Sequence, residues 1–249
     1  MNDPLIRLLG LRAMFLQGDP LVHDRLRWLR IHLKPGPLRT LDAGCGNGAF
    51  TLYAAHIGND AVGISFEDAN NRKATSRAAI LGLPNARFVQ GDLRQLDRMR
   101  EDLGRFDQVI CLETIEHIMG DRKLARDLAA IVNPGGRMLL TTPYSKCPPM
   151  RGDQISAIEN GDHVRWGYGH DEMHALLGDA GFETLAEEYI SGAVSQRIGN
   201  LQRLVGQVTP AFGWAATFPL RAFQIADRAA TDALGAPYFT IGIVAQRQR

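Results

Sequence analysis

The stretch LDAGCGNG, Leu41 to Gly48, places three glycines at alternate positions, directly after a short extended run and directly before a helix-compatible one. Glycine tolerates left-handed backbone, so such a turn lets a ligand approach backbone N–H groups where a strand gives way to a helix. The strand is expected at Arg39–Ala43 and the helix at Ala49–His56. Strand, glycine turn and helix in this order belong to open α/β sheets, whose ligands sit at the carboxyl ends of the strands.

The rest of the chain continues the alternation. Leu21, Val22, Leu26, Leu29 and Leu33 fall close to one helical stripe over residues 20–33, and Pro35-Gly36-Pro37 ends that helix. Ala61–Phe66 reads as a second strand, followed by a helix from Asp68 to Leu81 that Gly82 and Pro84 close. Arg87–Gln90 is a third strand. Phe106–Leu112 (FDQVICL) is a fourth, apolar enough to be buried on both faces as parallel strands are. A helix over Asp121–Val132, a strand at Arg137–Thr142, a helix over Asp171–Ala180 and a strand near Glu183–Ile190 follow. His170 falls at a helix start with Gly169 as its N-cap. The last strand, Tyr238–Ala245, comes after a helical stretch, 196–234, and fits an antiparallel position at the sheet edge. The pattern predicts a seven-stranded, mostly parallel α/β sheet with helices on both faces.

Within that frame the glycine spacing separates two ligand classes, dinucleotides and S-adenosylmethionine. A dinucleotide site expects G-x-G-x-x-G and an acid at the tip of the second strand. Here the spacing is G-x-G-x-G, and Asp42 stands two residues before Gly44, where it would repel a pyrophosphate. A cationic ligand bearing an amino acid suits that acid, directly or through water. The turn resembles motif I of the class I S-adenosylmethionine-dependent methyltransferases, and the order of elements over about residues 38–190 is similar to that family, with its small-molecule O-methyltransferase branch the nearest in character.

The resemblance implies a Rossmann-like fold and a set of cofactor contacts: Asp42, Gly44 and Gly46 at the turn, Asp92 for the adenine amino group with the Leu93 N–H beside it, and the Leu112 backbone for the methionine part. The second strand ends in Ser65 where the family has an acid for the ribose hydroxyls, so either Ser65 itself or Glu67, two residues on, takes that role. Glu67 equally suits the first turn of the next helix as a favourable charge. Cys45 is a small residue inside the turn.

Glu113, Glu116 and His117 in LETIEH stand at i, i+3 and i+4, one face of a helical turn, after the strand that faces the transferred methyl group in the family. With His163 from GDHVRW they resemble the ligand set of metal-dependent small-RNA 3′-end 2′-O-methyltransferases, and also the O-methyltransferases of the ubiquinone pathway. Such a set would hold a divalent metal that lowers the pKa of an acceptor hydroxyl. The alternatives are His117 alone as general base, and local packing without chemistry. Arg165, Trp166 and Tyr168 join His163 in a loop suited to an acceptor pocket. TTPY, Thr141 to Tyr144, follows the fifth strand rather than the fourth, which disfavours base N-methylation.

A formal charge of +1 gives no case for a nucleic-acid partner, and three widely spaced cysteines, with no cleavable leader at the N-terminus, favour a reducing cytoplasm. The run between Arg203 and Arg221 is uncharged but broken by Pro210, Gly213 and Pro219, too short and interrupted for a transmembrane segment. It reads as a cap, with peripheral membrane contact or a wall for an apolar acceptor as the other uses. The organisation expected is a single domain over 1–249, with a helical lid at 1–35 and a helical cap at 192–236. The activity expected is transfer of a methyl group to a hydroxyl of a hydrophobic small-molecule acceptor. C- or N-methylation, a catalytically silent S-adenosylmethionine-binding protein and a nucleotide-dependent oxidoreductase are the rivals, and the oligomeric state stays open.

Overall fold

Two aspartates start the N-terminal helices. Asp3 and Asp19 cap them, each followed by a proline at the first helical position, and the Asp19 carboxylate accepts from the Leu21 N–H at 2.9 Å. The computed structural model describes residues 3–16 and 18–249, so Met1, Asn2 and Gln17 of the expected lid lie outside the described residues. In chain order the elements are α1 (Pro4–Leu9), α2 (Arg12–Leu16), α3 (Pro20–His32), β1 (Arg39–Ala43), α4 (Ala49–His56), β2 (Asp60–Ser65), α5 (Asp68–Leu81) and β3 (Ala86–Gln90). They continue with α6 (Leu96–Leu103), β4 (Phe106–Leu112), α7 (Asp121–Ile131), β5 (Val132–Pro143), α8 (His170–Asp179) and β6 (Phe182–Ile190). The chain then runs through α9 (Ala193–Val205), α10 (Pro210–Thr217), a 3-10 stretch (Phe218–Ala226), α11 (Asp227–Leu234) and β7 (Thr240–Arg247).

The strands form one seven-stranded sheet in the order β3-β2-β1-β4-β5-β7-β6, with β7 antiparallel to both of its neighbours. The order reverses between β1 and β4, which opens a crevice at their carboxyl ends. One face packs on α6, α7 and α8 through Leu96, Leu103, Leu124, Leu128 and Leu177. The other packs on α3 and α4 through Trp28, Leu29, Ala54 and Ala55. In the first two helices Ile6, Met14 and Phe15 pack with Leu52 of α4 and Ala78 of α5, and Arg77 of α5 joins Asp3 to the Asn47 carbonyl of the glycine turn.

The last strand departs from expectation in one respect. It is antiparallel, but it is interior, and β6 forms the edge. Composition explains the exchange. Thr240 to Ala245 are all buried, with apolar residues pointing to both faces, whereas β6 carries Glu183, Glu187 and Glu188, charges that suit an exposed edge.

Between β5 and α8 the chain makes a long excursion over residues 144–169. Its base is tied by backbone hydrogen bonds from the Tyr168 N–H to the Pro143 carbonyl (2.9 Å) and from the Ser145 N–H to the Tyr168 carbonyl (3.1 Å). Gly167 makes that closure possible: φ is +58°, and a Cβ there would overlap the Pro143 carbonyl oxygen.

Candidate active site

A cavity of about 530 Å³ occupies the crevice beyond β1, β2, β3 and β4. The glycine turn forms its floor. Gly44 has φ +86°, and a Cβ there would come within 2.5 Å of the Thr114 side chain, so the turn and the segment just after β4 touch without room for a methyl group. Gly46 also has left-handed backbone, and a Cβ there would meet nothing within 4 Å, which leaves an open cradle at the start of α4.

Of the residues singled out in the sequence, Gly44, Gly46, Ser65, Glu67, Asp92, Leu93, Glu113 and His117 line this cavity. Asp42, Leu112 and Glu116 are buried and His163 is half-buried, and none of the four is among the lining residues. Asp42 is buried beneath the turn and accepts from the Thr51 hydroxyl at 2.7 Å, which joins β1 to the first turn of α4. Burial pushes its carboxyl up to about 6, against the opposing pull of the Thr51 hydrogen bonds. Glu67 is the N-cap residue of α5 and accepts from the Asn70 side chain at 2.9 Å. Ser65 is buried at the tip of β2.

Residues that sequence reasoning did not single out complete the wall. Arg94 engages both oxygens of Asp92, with Nε at 2.8 and 2.9 Å and Nη2 at 2.7 Å, and holds that carboxyl below its usual range. The same guanidinium reaches Glu159 at 3.0 Å through Nη1 and lies over the Phe66 ring at 5.6 Å. Glu159, Asn160 and Gly161, from the far end of the 144–169 excursion, thus close over the cavity.

The tip of β4 carries the titratable groups. Glu113 has φ +50°, a left-handed backbone that is uncommon for a residue with a side chain. Its Oε1 accepts from the Thr141 hydroxyl at 2.9 Å, and its N–H donates to the Thr141 carbonyl at 2.9 Å. That break, followed by a 3-10 turn at Ile115–His117, replaces the expected α-helical face and sets Glu113 apart from the two residues that follow.

Glu116, His117 and His163 do come together: their ligand atoms all lie within 4.8 Å of one another. Glu116 is fully buried. Its Oε2 accepts from the Thr142 hydroxyl at 3.3 Å, and its Oε1 has no partner among the described residues. Burial first, and the Glu113 charge second, hold this carboxyl well above the usual carboxylate range; Arg25 of α3 acts in the opposite sense. His163 Nδ1 is likewise buried without a partner, and burial together with His117 lowers its pKa. The two imidazole rings stand edge to face at 4.6 Å, and Trp166 stacks on His163 at 5.4 Å. His117 Nδ1 lies 3.1 Å from the Asp162 carbonyl oxygen. A carbonyl only accepts, so in neutral His117 the proton sits on Nδ1 and Nε2 keeps its lone pair.

A family model described as a methyltransferase domain matches residues 18–187. The ubiquinone biosynthesis O-methyltransferase of Xanthomonas axonopodis pv. citri is 31% identical over 121 residues, 47% of this chain and 48% of that protein. The chloroplastic tocopherol O-methyltransferase of Arabidopsis thaliana is 33% identical over 106 residues, 42% of this chain and 30% of that protein. This chain therefore spans about half the length of the first of these relatives, or less for the second. Magnesium protoporphyrin IX methyltransferase from Synechocystis PCC 6803, solved with S-adenosylmethionine bound, superposes with a TM-score of 0.55 at 18% identity, covering 100% of this chain and 86% of that one. The glycine cradle, the sheet order with its antiparallel seventh strand, and the match over residues 18–187 agree: the chain belongs to the methyltransferase domain family and has a Rossmann-like fold.

Proposed function

We propose that this protein is an S-adenosylmethionine-dependent methyltransferase that methylates a hydroxyl of an apolar small molecule, and that Glu116, His117 and His163 hold a divalent cation beside that hydroxyl. The observation that carries the reading is the pair of buried, unpartnered donors, Glu116 Oε1 and His163 Nδ1, converging with His117. A buried carboxylate oxygen without a partner is costly, and a cation satisfies it together with both imidazoles. The names of the two relatives, which place O-methylation in ubiquinone biosynthesis and on tocopherol, support a hydroxyl on an apolar molecule.

The residues present also fit the cofactor. The Gly44–Gly46 turn offers the open cradle, and Ser65, Glu67, Asp92 and Leu93 line the same cavity, the first two assigned to the ribose hydroxyls and the last two to the adenine. Bound S-adenosylmethionine supplies a methyl group activated by its sulfonium. The chain does the rest by alignment and by exclusion of water. Without a cation His117 Nε2, with its lone pair free, takes the hydroxyl proton; with one, His117 would be a ligand and the proton of the acidified hydroxyl would pass to solvent before the acceptor is enclosed. Thr142 and the Asp162 carbonyl fix Glu116 and His117 in position. Arg94 and Glu159 draw the 144–169 excursion over the cofactor end. A bound cation would hold the acceptor oxygen and lower the pKa of its hydroxyl.

Titration calorimetry on EDTA-stripped protein tests both halves. S-adenosylmethionine is expected to bind in the micromolar range, and Mg²⁺, Mn²⁺ or Zn²⁺ to give a separate event that Glu116→Gln abolishes while cofactor affinity holds within about twofold. No metal event would leave His117 as the base, and no cofactor binding would overturn the assignment of the site.

A further inference from the structure

The segment Pro210–Ala226 is folded with its polarity reversed. Every exposed side chain in it is apolar, led by Phe212, Phe218, Phe223 and Ile225, while its polar groups are turned into the protein. The Trp214 indole N–H donates to the Leu16 carbonyl at 2.5 Å. Thr217 donates to Gln202 (3.0 Å) and to the Gly213 carbonyl (2.8 Å), and the Arg221 guanidinium donates to the Leu16 and Gly18 carbonyls and to Gln202. Buried Gln224 donates to Asp24 (3.1 Å) and Ser195 (2.9 Å). Ile225 is 85% exposed and Phe223 63%, and Val208, just before the segment, is 75% exposed. Water-facing surface normally carries the polar side chains, so a stretch that hides them all and shows phenylalanines is matched to an apolar surrounding.

We propose that this face of the cap is a docking surface for an anionic phospholipid bilayer. Two observations favour lipid over a second protein. A protein interface of ordinary size carries about ten hydrogen bonds, and this segment shows no side-chain donor or acceptor with which to make one; acyl chains require none. The charge also matches. Within residues 192–236 Arg203 is paired with Asp19 and Asp153, Arg221 is turned inward and Asp227 is buried, so the charges left exposed are Arg197 and Arg228 against Asp232 alone. Arg197 and Arg228 are exposed, and neither forms an ion pair with an acid among the described residues. Protruding Phe223 and Ile225, with the exposed Arg228 three residues after Ile225, match the pattern of interfacial binding to acidic headgroups. No helix among the described residues is long and apolar enough to cross a membrane, so the contact is one of lying on the surface.

The proposal stands apart from the identity of the methyl acceptor, and co-sedimentation of the full chain with vesicles tests it without turnover. The protein is expected to pellet with vesicles enriched in phosphatidylglycerol and less with phosphatidylcholine alone. Phe223→Ser/Ile225→Ser, at exposed positions that leave the fold intact, is expected to weaken the partition by about tenfold or more, and Val208→Ser/Phe212→Ser likewise. Arg197→Gln/Arg228→Gln is expected to remove the preference for the anionic lipid. Absence of partition, or partition unchanged in both apolar variants, overturns the proposal. So does a concentration-dependent dimer in sedimentation velocity that the Phe223→Ser/Ile225→Ser variant dissolves, because that face would then join two copies of the chain.

Discussion

Asp24 shows how single residues bind the cap to the body. Its carboxyl lies buried in α3 beside Ser195, Gln224 and Asp227, and burial pushes it up to about 6 from an ordinary 3.8. The folded state therefore holds this proton more tightly than the unfolded chain does. Stability from this group is unaffected at low pH and falls as pH rises from about 4 to about 6, by roughly 3 kcal/mol in all. Asp24→Asn is expected to lack that fall, and urea unfolding of the two proteins on either side of the window measures the difference. The place of Gly44, Gly46, Ser65, Asp92 and Leu93 in the cavity wall was legible because backbone geometry fixes it: each stands at or just after a strand tip, at a spacing the sequence displays. Arg94 and Glu159 were not, since their meeting joins positions 65 residues apart. The separation of Glu113 from Glu116 and His117 was hidden too, because periodicity presumes regular backbone and Glu113 is left-handed.

At the scale of elements, the apolar runs marked the strands along the chain, since β1 and β4 are buried almost throughout. The placement of β7 inside the sheet depended on competition for the edge, which the glutamates of β6 decide. The helix Leu96–Leu103 went unread for a different reason: it buries only Leu96 and Leu103 among charged residues. The docking of α3 on the sheet rests on Gly242 of β7. A Cβ there would come within 2.5 Å of Ile190 and 2.8 Å of the Trp28 indole. Gly242→Ala is expected to destabilise the protein by about 1–3 kcal/mol through overpacking, and the shift in denaturant midpoint reads it directly. An unchanged midpoint would mean that α3 moves freely on the sheet.

The molecule as a whole combines a sheet core on both faces with a cap that shares buried polar contacts with α3, through Gln224 to Asp24 and to the Pro20 carbonyl. Such shared burial predicts one cooperative thermal transition for the entire chain, with calorimetric and van't Hoff enthalpies equal. S-adenosylmethionine at about a hundred times its Kd is expected to stabilise it by about 2.7 kcal/mol. A separate early transition would show the cap melting alone. Expectations for the sheet held at this scale because the alternation of strands and helices is global, whereas the outward phenylalanines of the cap look in sequence like any buried run. The excursion over residues 144–169 is sewn shut at its base by Pro143, Ser145 and Tyr168, while its far end reaches the cavity. Lengthening a closed loop costs only about 0.6 kcal/mol for each doubling. The stretch between the base and Glu159 can therefore change length at little cost, so long as Glu159 still reaches Arg94 and Asp162 and His163 keep their places beside His117.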